Sequence, residues 1–322
     1  MQNILTKENK NIIITKLVTH NLIAATDDII LRPCHNVIID GKCQSHFEAT
    51  SVESGTKFFV KALKEHDNLL FCSDYLRSFI SNDGNYAYQV VLVEPFYVGE
   101  LQYFITTFNE GKTLGELSNR LSDKQYKEIC LGIENRFKEL ASIHADQYSE
   151  NDSFVSAGCA EILISKLKRR LEHPMSRHYP QVEIAQIVNN FNKILTNATY
   201  SIPTLLHMDI KPDNILYNEK NGSVYLLDFE LARFGDIDFG KTQLLLSGYH
   251  GYDSSYINKV WKNFINEEFN MKNVLTDTKY LCYLFYQSLC NLIFYDSRNM
   301  ICPEPMKQVF NETYKLLLEI NL

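Results

Sequence analysis

The sequence has no long apolar run and no segment typical of a signal peptide. Its most apolar stretch near the C-terminus, YLCYLFYQSLCNLIFY at 280–295, is too short and too polar to span a bilayer and predicts a buried helix. The first 23 residues interrupt every apolar run with Lys, Asn or Thr, so they lack the apolar core of a signal peptide. We therefore expect a cytoplasmic protein without a membrane partner.

Metal-binding cysteine pairs and basic tracts are also missing. The eight cysteines contain no CxxC pair, which argues against a zinc site and predicts reduced thiols. The formal net charge is -7, and the densest basic run, KLKRR at 166–170, is typical of the solvated face of a helix, so we predict no nucleic-acid partner. With 322 residues, 45% hydrophobic, the chain is long enough for one large domain or two lobes.

Hydrophobic periodicity divides the chain into two parts. From about 36 to 108, short β-rich runs such as TKFFVKAL and LQYFITTF alternate with turn signals, which predicts an antiparallel sheet interrupted by a helix at about 65–80. Beyond FNEGKTLGEL the pattern is helical, at about 122–147, 154–173, 180–196 and again after 254, with Ser122 as an N-cap. The strand-like runs of this part are NILY and VYLLDFE, a predicted hairpin.

Residues 205–233, LLHMDIKPDNILYNEKNGSVYLLDFELAR, place several polar side chains between two apolar runs. Phosphoryl transfer to a hydroxyl needs a carboxylate that positions the acceptor, hard oxygen ligands for Mg²⁺ and a cation on the phosphates. Asp209 offers the first, and Asn214 and Asp228, at the two ends of the hairpin, offer the second. Alternatively, Asp209 and Asp213 can act as turn formers and Asn214 as an Asx cap.

The segments HMDIKPDNIL and LLDFE resemble the catalytic and metal-binding loops of the protein-kinase-like fold. The DFE ending and LASIHA at 140–145 resemble the aminoglycoside phosphotransferase and choline kinase branch of that fold. The resemblance implies an α+β, bilobal fold, with a small antiparallel β-sheet N-lobe at 1–107 that binds nucleotide and a larger, mainly helical C-lobe at 108–322. It also implies Asp209 as the acceptor base, and Asn214 and Asp228 as the Mg²⁺ ligands.

The resemblance further implies a set of residues around ATP or GTP. Lys61 in FFVKAL corresponds to the lysine that binds the α and β phosphates, with Lys57 beside a turn as the weaker competitor. Asp74 is the carboxylate expected to pair with Lys61. No GxGxxG loop is present, so Gly41 and Ser45 in IIDGKCQSHFEAT are expected to cover the phosphates, although a plain hairpin turn explains them equally well.

The segment FITTFNEGKTL resembles the linker between the lobes, where adenine binds the backbone. Thr106 is expected to face the base, and the main chain of Thr107, Phe108 and Asn109 to bind it. Lys211, two residues after Asp209, matches a lysine that touches the transferred phosphate in protein kinases acting on Ser or Thr.

Nothing resembling the APE segment of protein kinases follows Asp228, so the expected acceptor is a small molecule with a hydroxyl group. A cationic aminoglycoside antibiotic would need an acidic wall, although the nearly balanced charges of 231–322 are equally typical of a solvated surface. The acids available are Asp236, Asp238, Asp253, Glu267, Glu268 and Asp277. Two alternatives stay open, a protein Ser/Thr kinase and a non-catalytic nucleotide-binding module.

Overall fold

A computed structural model describes residues 7–39, 42–63, 69–80, 84–117, 121–150, 153–174, 181–247 and 277–320. The chain forms two compact units. Unit 1 comprises residues 1–111 and 216–230, and unit 2 comprises 112–215 and 231–322. The predicted N-lobe, 1–107, does not include residues 216–230, which belong to unit 1 in the structure. The separate functions predicted for the two lobes stay a prediction.

Unit 1 is built on a five-stranded antiparallel sheet in the order β1-β2-β3-β5-β4. The strands are β1 (Ile29–Ile39), β2 (Lys42–Ser51), β3 (Lys57–Leu63), β4 (Val91–Val98) and β5 (Leu101–Thr107). Two helices belong to the same unit, α1 (Lys7–Thr19) and α2 (Leu69–Leu76). The antiparallel sheet is confirmed, and β1 extends seven residues further towards the N-terminus than the predicted run.

Helix α1 closes one face of this sheet and has no counterpart among the predicted elements. Its sequence KENKNIIITKLVT is polar over most of its surface, so periodicity gives little signal. Two side chains anchor it, Ile13 and Leu17, which are 1% and 0% exposed. They join the sheet core of buried residues such as Phe47, Val60 and Ile105.

The predicted hairpin of NILY and VYLLDFE is confirmed as β10 (Ile215–Tyr217) paired with β11 (Val224–Leu226). Its turn needs a left-handed residue, which Gly222 supplies at φ 74°. The Asn218 N–H donates to the Ser223 carbonyl at 2.9 Å and closes the hairpin. A parallel bridge between Tyr88 and Leu226 attaches β11 to the rest of unit 1.

Unit 2 is mainly helical. Its described helices are α3 (Asp123–Ala141), α4 (Cys159–Leu171), α5 (Gln181–Asn197), α6 (Ile237–Ser247), α7 (Thr278–Ser297) and α8 (Glu304–Glu319). Ser122 and Gln125 form a capping box at the start of α3, as predicted for Ser122. Helix α7 buries most of its surface, including Leu281, Tyr283 and Phe285, which confirms the buried helix predicted there.

Short strands are more numerous in unit 2 than predicted. They are β6 (Lys112–Thr113), β7 (Tyr148–Glu150), β8 (Ser153–Val155), β9 (Thr204–Leu206) and β12 (Arg233–Gly235). Runs of three residues carry too little periodicity to be recognised in a sequence. The antiparallel pair of β9 and β12 matters most, because it places Arg233 opposite Leu206 just before the HMD motif. Within the part of the chain described, no helix is long and apolar enough to cross a membrane.

Candidate active site

The loop after β9 holds Asp209 through three neighbours in unit 2. His207 is 2% exposed, and its Nδ1 accepts a hydrogen bond from the Asp209 N–H at 3.2 Å. The Asn214 amide donates to both the main-chain oxygen and Oδ2 of Asp209, at 2.8 and 2.9 Å. Lys211 Nζ donates to the same Oδ2 at 2.6 Å. A short 3₁₀ helix, Pro212–Asn214, brings Asn214 back to Asp209.

These bonds leave specific oxygens available. Both donors act on Oδ2 of Asp209, and no described residue donates to its Oδ1. The side chain is 21% exposed. Asn214 uses its amide nitrogen on Asp209, which leaves its own carbonyl oxygen as an acceptor or as a ligand for a hard cation.

In unit 1, Lys61 lies in the middle of β3 with its side chain only 5% exposed. Its Nζ is 3.0 Å from Asp228 Oδ1 and 3.3 Å from Glu230 Oε2. A buried ammonium with two carboxylates satisfies the usual requirement that a buried charge be paired. Asp228 and Glu230 both lie just after β11, so the hairpin of β10 and β11 delivers both acids to Lys61.

Asp228 itself has an unusual backbone and a dedicated partner. Its φ is 64°, a left-handed conformation that costs a non-glycine residue energy and is typical of functional positions. The Asp228 N–H donates to Gln89 Oε1 at 3.3 Å, and Gln89 Nε2 donates to Thr106 Oγ1 at 3.0 Å. Gln89 and Thr106 are 6% and 0% exposed. This buried chain fixes the position from which the Asp228 carboxylate projects.

Several predicted nucleotide contacts already have protein partners. Thr106 is 0% exposed and its hydroxyl accepts a hydrogen bond from Gln89 Nε2, and its contact with the base stays a prediction. The Thr107 N–H donates to the Val90 carbonyl at 3.0 Å. The Phe108 ring lies 5.1 Å from Lys57 Nζ, and its predicted main-chain bond stays a prediction. Both amide atoms of Asn109 are buried without a hydrogen-bond partner among the described residues.

The predicted partner of Lys61 has an unfavourable position. Asp74 lies on α2 with its side chain 89% exposed, and its Oδ1 accepts a hydrogen bond from Arg77 Nε at 3.2 Å. An acid that faces water so fully is poorly placed to neutralise a buried ammonium, whereas Asp228 and Glu230 are in contact with it. Gly41 and the side chain of Ser45 lie outside the described residues, so their roles in covering the phosphates stay predictions.

The acidic wall considered for a cationic acceptor is largely neutralised where it is described. Asp236 caps α6 and is bound to Ser201, Lys279 and Tyr283. Asp238 accepts from Lys241, Lys279 and Tyr280.

Asp277 caps α7 by accepting from the N–H groups of Lys279 and Tyr280. It lines, with Asp238, Lys193 and Lys279, a cavity of about 850 Å³ whose charges balance. Asp253, Glu267 and Glu268 lie outside the described residues.

Residues 76–258, more than half of the chain, match the APH family, which is described as a phosphotransferase enzyme family. The chain belongs to this family. The predicted family and enzyme class, a phosphotransferase of the small-molecule kinase kind, are thereby confirmed. A search of curated proteins finds no significant match.

Solved structures of aminoglycoside phosphotransferases share the fold. A complex of APH(4)-Ia with ADP and hygromycin B superposes with a TM-score of 0.67 at 11% identity, over 97% of this chain and 99% of that one. The streptomycin–ATP complex of APH(2")-IIa gives 0.56 at 16% identity, over 100% of both chains. The GDP and kanamycin complex of the related APH(2")-IIia gives 0.52 at 15% identity, over 95% and 96% of the two chains. The predicted kinase-like α+β fold is confirmed.

Two residues of the site were absent from the sequence-based set. Glu230 is the last residue of the DFE motif. That motif carries the family resemblance, but no contact of Glu230 with Lys61 is predicted from the sequence. Gln89 is a polar residue near the start of the apolar run YQVVLVEPF, two residues before β4, and a polar residue in such a run is the signal that points to it.

Proposed function

We propose that the protein transfers the γ-phosphate of ATP or GTP to a hydroxyl group of a small molecule. The observation that carries the proposal is the arrangement of Asp209, whose Oδ2 is held by Lys211 and Asn214 while Oδ1 receives no bond from a described residue. A carboxylate fixed on one oxygen and open on the other is suited to accept or orient the proton of an attacking hydroxyl.

The other predicted roles follow from the chemistry of each side chain. Lys61 supplies a buried positive charge for the nucleotide phosphates, and Asn214 and Asp228 supply oxygen ligands for Mg²⁺. The residues fit such an ion, because Asp228 and Glu230 converge on one cation, Lys61 Nζ, and the Asn214 carbonyl oxygen is not engaged by the described residues. Bound Mg²⁺ would neutralise the charge of the phosphates and orient them.

We assign two contacts to Lys211, one with the Asp209 carboxylate and one with the transferred phosphate. At 2.6 Å from Asp209 Oδ2, its ammonium keeps the carboxylate oriented and adds positive charge where the γ-phosphate would arrive. A lysine at this position is the one feature that favours a protein Ser/Thr kinase. The DFE ending and family membership favour a small-molecule acceptor.

The proposal is tested by measuring release of ADP or GDP from purified protein with Mg²⁺ and each nucleotide, across aminoglycosides, macrolides, choline, homoserine and simple sugars. Asp209→Asn should reduce acceptor-stimulated release by 10²-fold or more, on the order of a general-base contribution, while nucleotide binding is retained. Asp213→Asn is the matched control, since Asp213 is an exposed acid in the same loop.

Transfer that survives Asp209→Asn would reject the assignment of the base. Phosphate that appears on a generic protein substrate instead would support the protein kinase alternative. Tight nucleotide binding without turnover on any acceptor, in both wild-type and control proteins, would favour a binding module.

A further inference from the structure

A small cavity in unit 2 lies beside the strand that follows the DFE motif. It has a volume of about 30 Å³ and lies between β7, α4 and β12. The Phe234 N–H donates to Ser149 Oγ at 2.8 Å and joins β12 to β7 beside the cavity. Its polar lining includes Tyr148, Cys159, Lys166, Arg233 and Asp236. Two of these residues are cations, and KLKRR, the run predicted to be a solvated helix face, supplies Lys166.

Arg233 brings a charge into this cavity that no described residue neutralises through an ion pair. Its guanidinium lies 5.2 Å from the centre of the Phe239 ring, a cation–π contact. No described residue forms a hydrogen bond or an ion pair with this guanidinium. Burial lowers the pKa of Arg233, which reflects the cost of placing its charge there. An unpaired buried charge is unfavourable, and a guanidinium fork is suited to bind a carboxylate or a phosphate.

Lys166 adds to the excess of positive charge. Its Nζ is 3.1 Å from Glu150 Oε1, and its side chain is 15% exposed. Burial, and then the nearby charge of Arg233, lower the pKa of Lys166 despite the Glu150 carboxylate, with a further contribution from Arg169. Asp236, the acid that lines the cavity, is already bound to Ser201, Lys279 and Tyr283. Of the described residues, Glu150 is the one acid that forms an ion pair with either of these two cations.

The strand that carries Arg233 is close to the catalytic loop within unit 2. Arg233 pairs with Leu206, and paired antiparallel strands are about 5 Å apart. Asp209 follows Leu206 by three residues, which span at most about 11 Å of extended chain. The Cα atoms of Arg233 and Asp209 are therefore within roughly 16 Å of each other, a distance that the arginine side chain and one small molecule can span.

We propose that Arg233 and Lys166 bind the anionic group, a carboxylate or a phosphate, of the acceptor whose hydroxyl is presented to Asp209. The inference rests on the proposed function and narrows its substrate class to hydroxy acids and phosphorylated alcohols or sugars. A cavity of about 30 Å³ takes at most a small group, so the rest of the acceptor would lie outside it. The engagement of Asp236, Asp238 and Asp277 by cations or N–H groups is consistent with an acceptor that is not cationic.

Binding of the anion is tested first, with inorganic phosphate as the probe and chloride at equal ionic strength as the reference. Phosphate should raise the thermal midpoint of the wild-type protein by about 2 to 4 °C at saturation. Arg233→Met should abolish most of this shift. Because it removes a partly buried charge that no described residue pairs, it should leave the midpoint without phosphate unchanged or higher. Lys168→Met, an exposed change on the same helix, should retain the shift.

Two further variants keep this test decisive. Lys61→Met distinguishes phosphate bound at the nucleotide site from phosphate bound at Arg233. The shift in midpoint that depends on Arg233 should persist in this variant. Lys166→Gln provides a second measurement if Arg233→Met fails to fold. An absent shift in the wild-type protein, or an equal shift in wild type, Arg233→Met and Lys166→Gln, would overturn the site.

The substrate class is tested with matched acceptors, glycerate against glycerol and glucose 6-phosphate against glucose. The anionic member of at least one pair should be preferred tenfold or more in kcat/KM, and Arg233→Met should remove this preference mainly through KM. Asp209-dependent transfer to neutral or cationic acceptors that is indifferent to Arg233→Met would leave the proposed function standing and overturn this inference. Arg233-dependent phosphate binding without use of any anionic acceptor would identify a free anion as the ligand and would also overturn it.

Discussion

The side-chain amide of Asn214 donates to Asp209 twice, to the main-chain oxygen at 2.8 Å and to carboxylate Oδ2 at 2.9 Å. One residue therefore fixes both the backbone and the side chain of the proposed acceptor base. The same bonds orient the Asn214 carbonyl oxygen away from Asp209. A single asparagine can thus serve two roles, positioning the base and supplying an oxygen ligand to Mg²⁺.

Substitutions of Asn214 separate these two roles. Asn214→Ala removes both, so we expect kcat to fall about 10- to 100-fold and the Mg²⁺ concentration for half-maximal activity to rise. Asn214→Asp keeps an oxygen ligand but replaces the donor with a like charge beside Asp209, so kcat should fall while the Mg²⁺ requirement stays near wild type. Titrations of Mg²⁺ against rate measure both effects. An unchanged Mg²⁺ requirement in Asn214→Ala would contradict the ligand role.

Lys61 is expected to be essential for nucleotide affinity. Lys61→Met removes the positive charge that pairs with the Asp228 and Glu230 carboxylates. The two unneutralised carboxylates should then repel the nucleotide phosphates. We expect the KM for nucleotide to rise tenfold or more, measured by steady-state kinetics and by direct nucleotide binding.

Lys57→Met is the comparison, because Lys57 lies on the same strand but binds Glu48 at 3.5 Å with its side chain 35% exposed. The KM of the Lys57→Met variant for nucleotide should stay within about twofold of the wild-type value. If both substitutions had equal effects, the choice of Lys61 over Lys57 would be wrong.

The sequence predicts those parts of the fold and the site that depend on local spacing. The sheet strands, the hairpin of β10 and β11 and the Ser122 cap each have a signal within ten to thirty residues. Asp209 and Asn214 are equally local, since a loop and one 3₁₀ turn hold them together.

The contacts of Lys61 show the limit of such prediction. The resemblance implies a carboxylate on the helix that follows Lys61, where Asp74 lies, whereas the acids found at the Lys61 ammonium are 167 and 169 residues away in the sequence. Long-range pairing is decided by the packing of strands, which periodicity does not encode. Gln89 escaped prediction for the same reason, because its partners Thr106 and Asp228 come from separate segments of the chain.

Gln89 is expected to act as a positioning residue for Asp228. Gln89→Leu removes the acceptor of the Asp228 N–H and the donor to Thr106, so buried polar groups lose partners. We expect unfolding free energy to fall by about 1 to 3 kcal/mol. If Gln89 only stabilises the fold, kcat and the Mg²⁺ requirement will be unchanged under conditions where the variant is folded.

A positioning role predicts instead a higher Mg²⁺ requirement at constant folded fraction. Gln102→Leu, on β5 of the same sheet and only partly buried, is the control for loss of a glutamine. Urea unfolding and Mg²⁺ titration of the three proteins measure the two effects separately.

Asp238 is expected to stabilise unit 2 in a way that depends on pH. Burial alone would raise its pKa, but hydrogen bonds from Lys279, Tyr280 and Lys241 outweigh burial and lower the pKa of Asp238 from 3.8 to about 2. Because the folded value is below the unfolded one, the contribution is complete above about pH 4 and is lost as the pH falls towards 2.

The corresponding variant is Asp238→Asn. After allowance for partial solvent screening, it should lower the unfolding free energy by about 1 to 2 kcal/mol at pH 7. The difference from wild type should shrink below pH 4, where the wild-type carboxylate begins to lose its advantage. Urea unfolding at pH 7, 4 and 3 measures it, with Asp296→Asn as the control because Asp296 is exposed at the end of α7. A difference that stays constant from pH 7 to pH 3 would mean that Asp238 acts through packing or neutral hydrogen bonds and not through its charge.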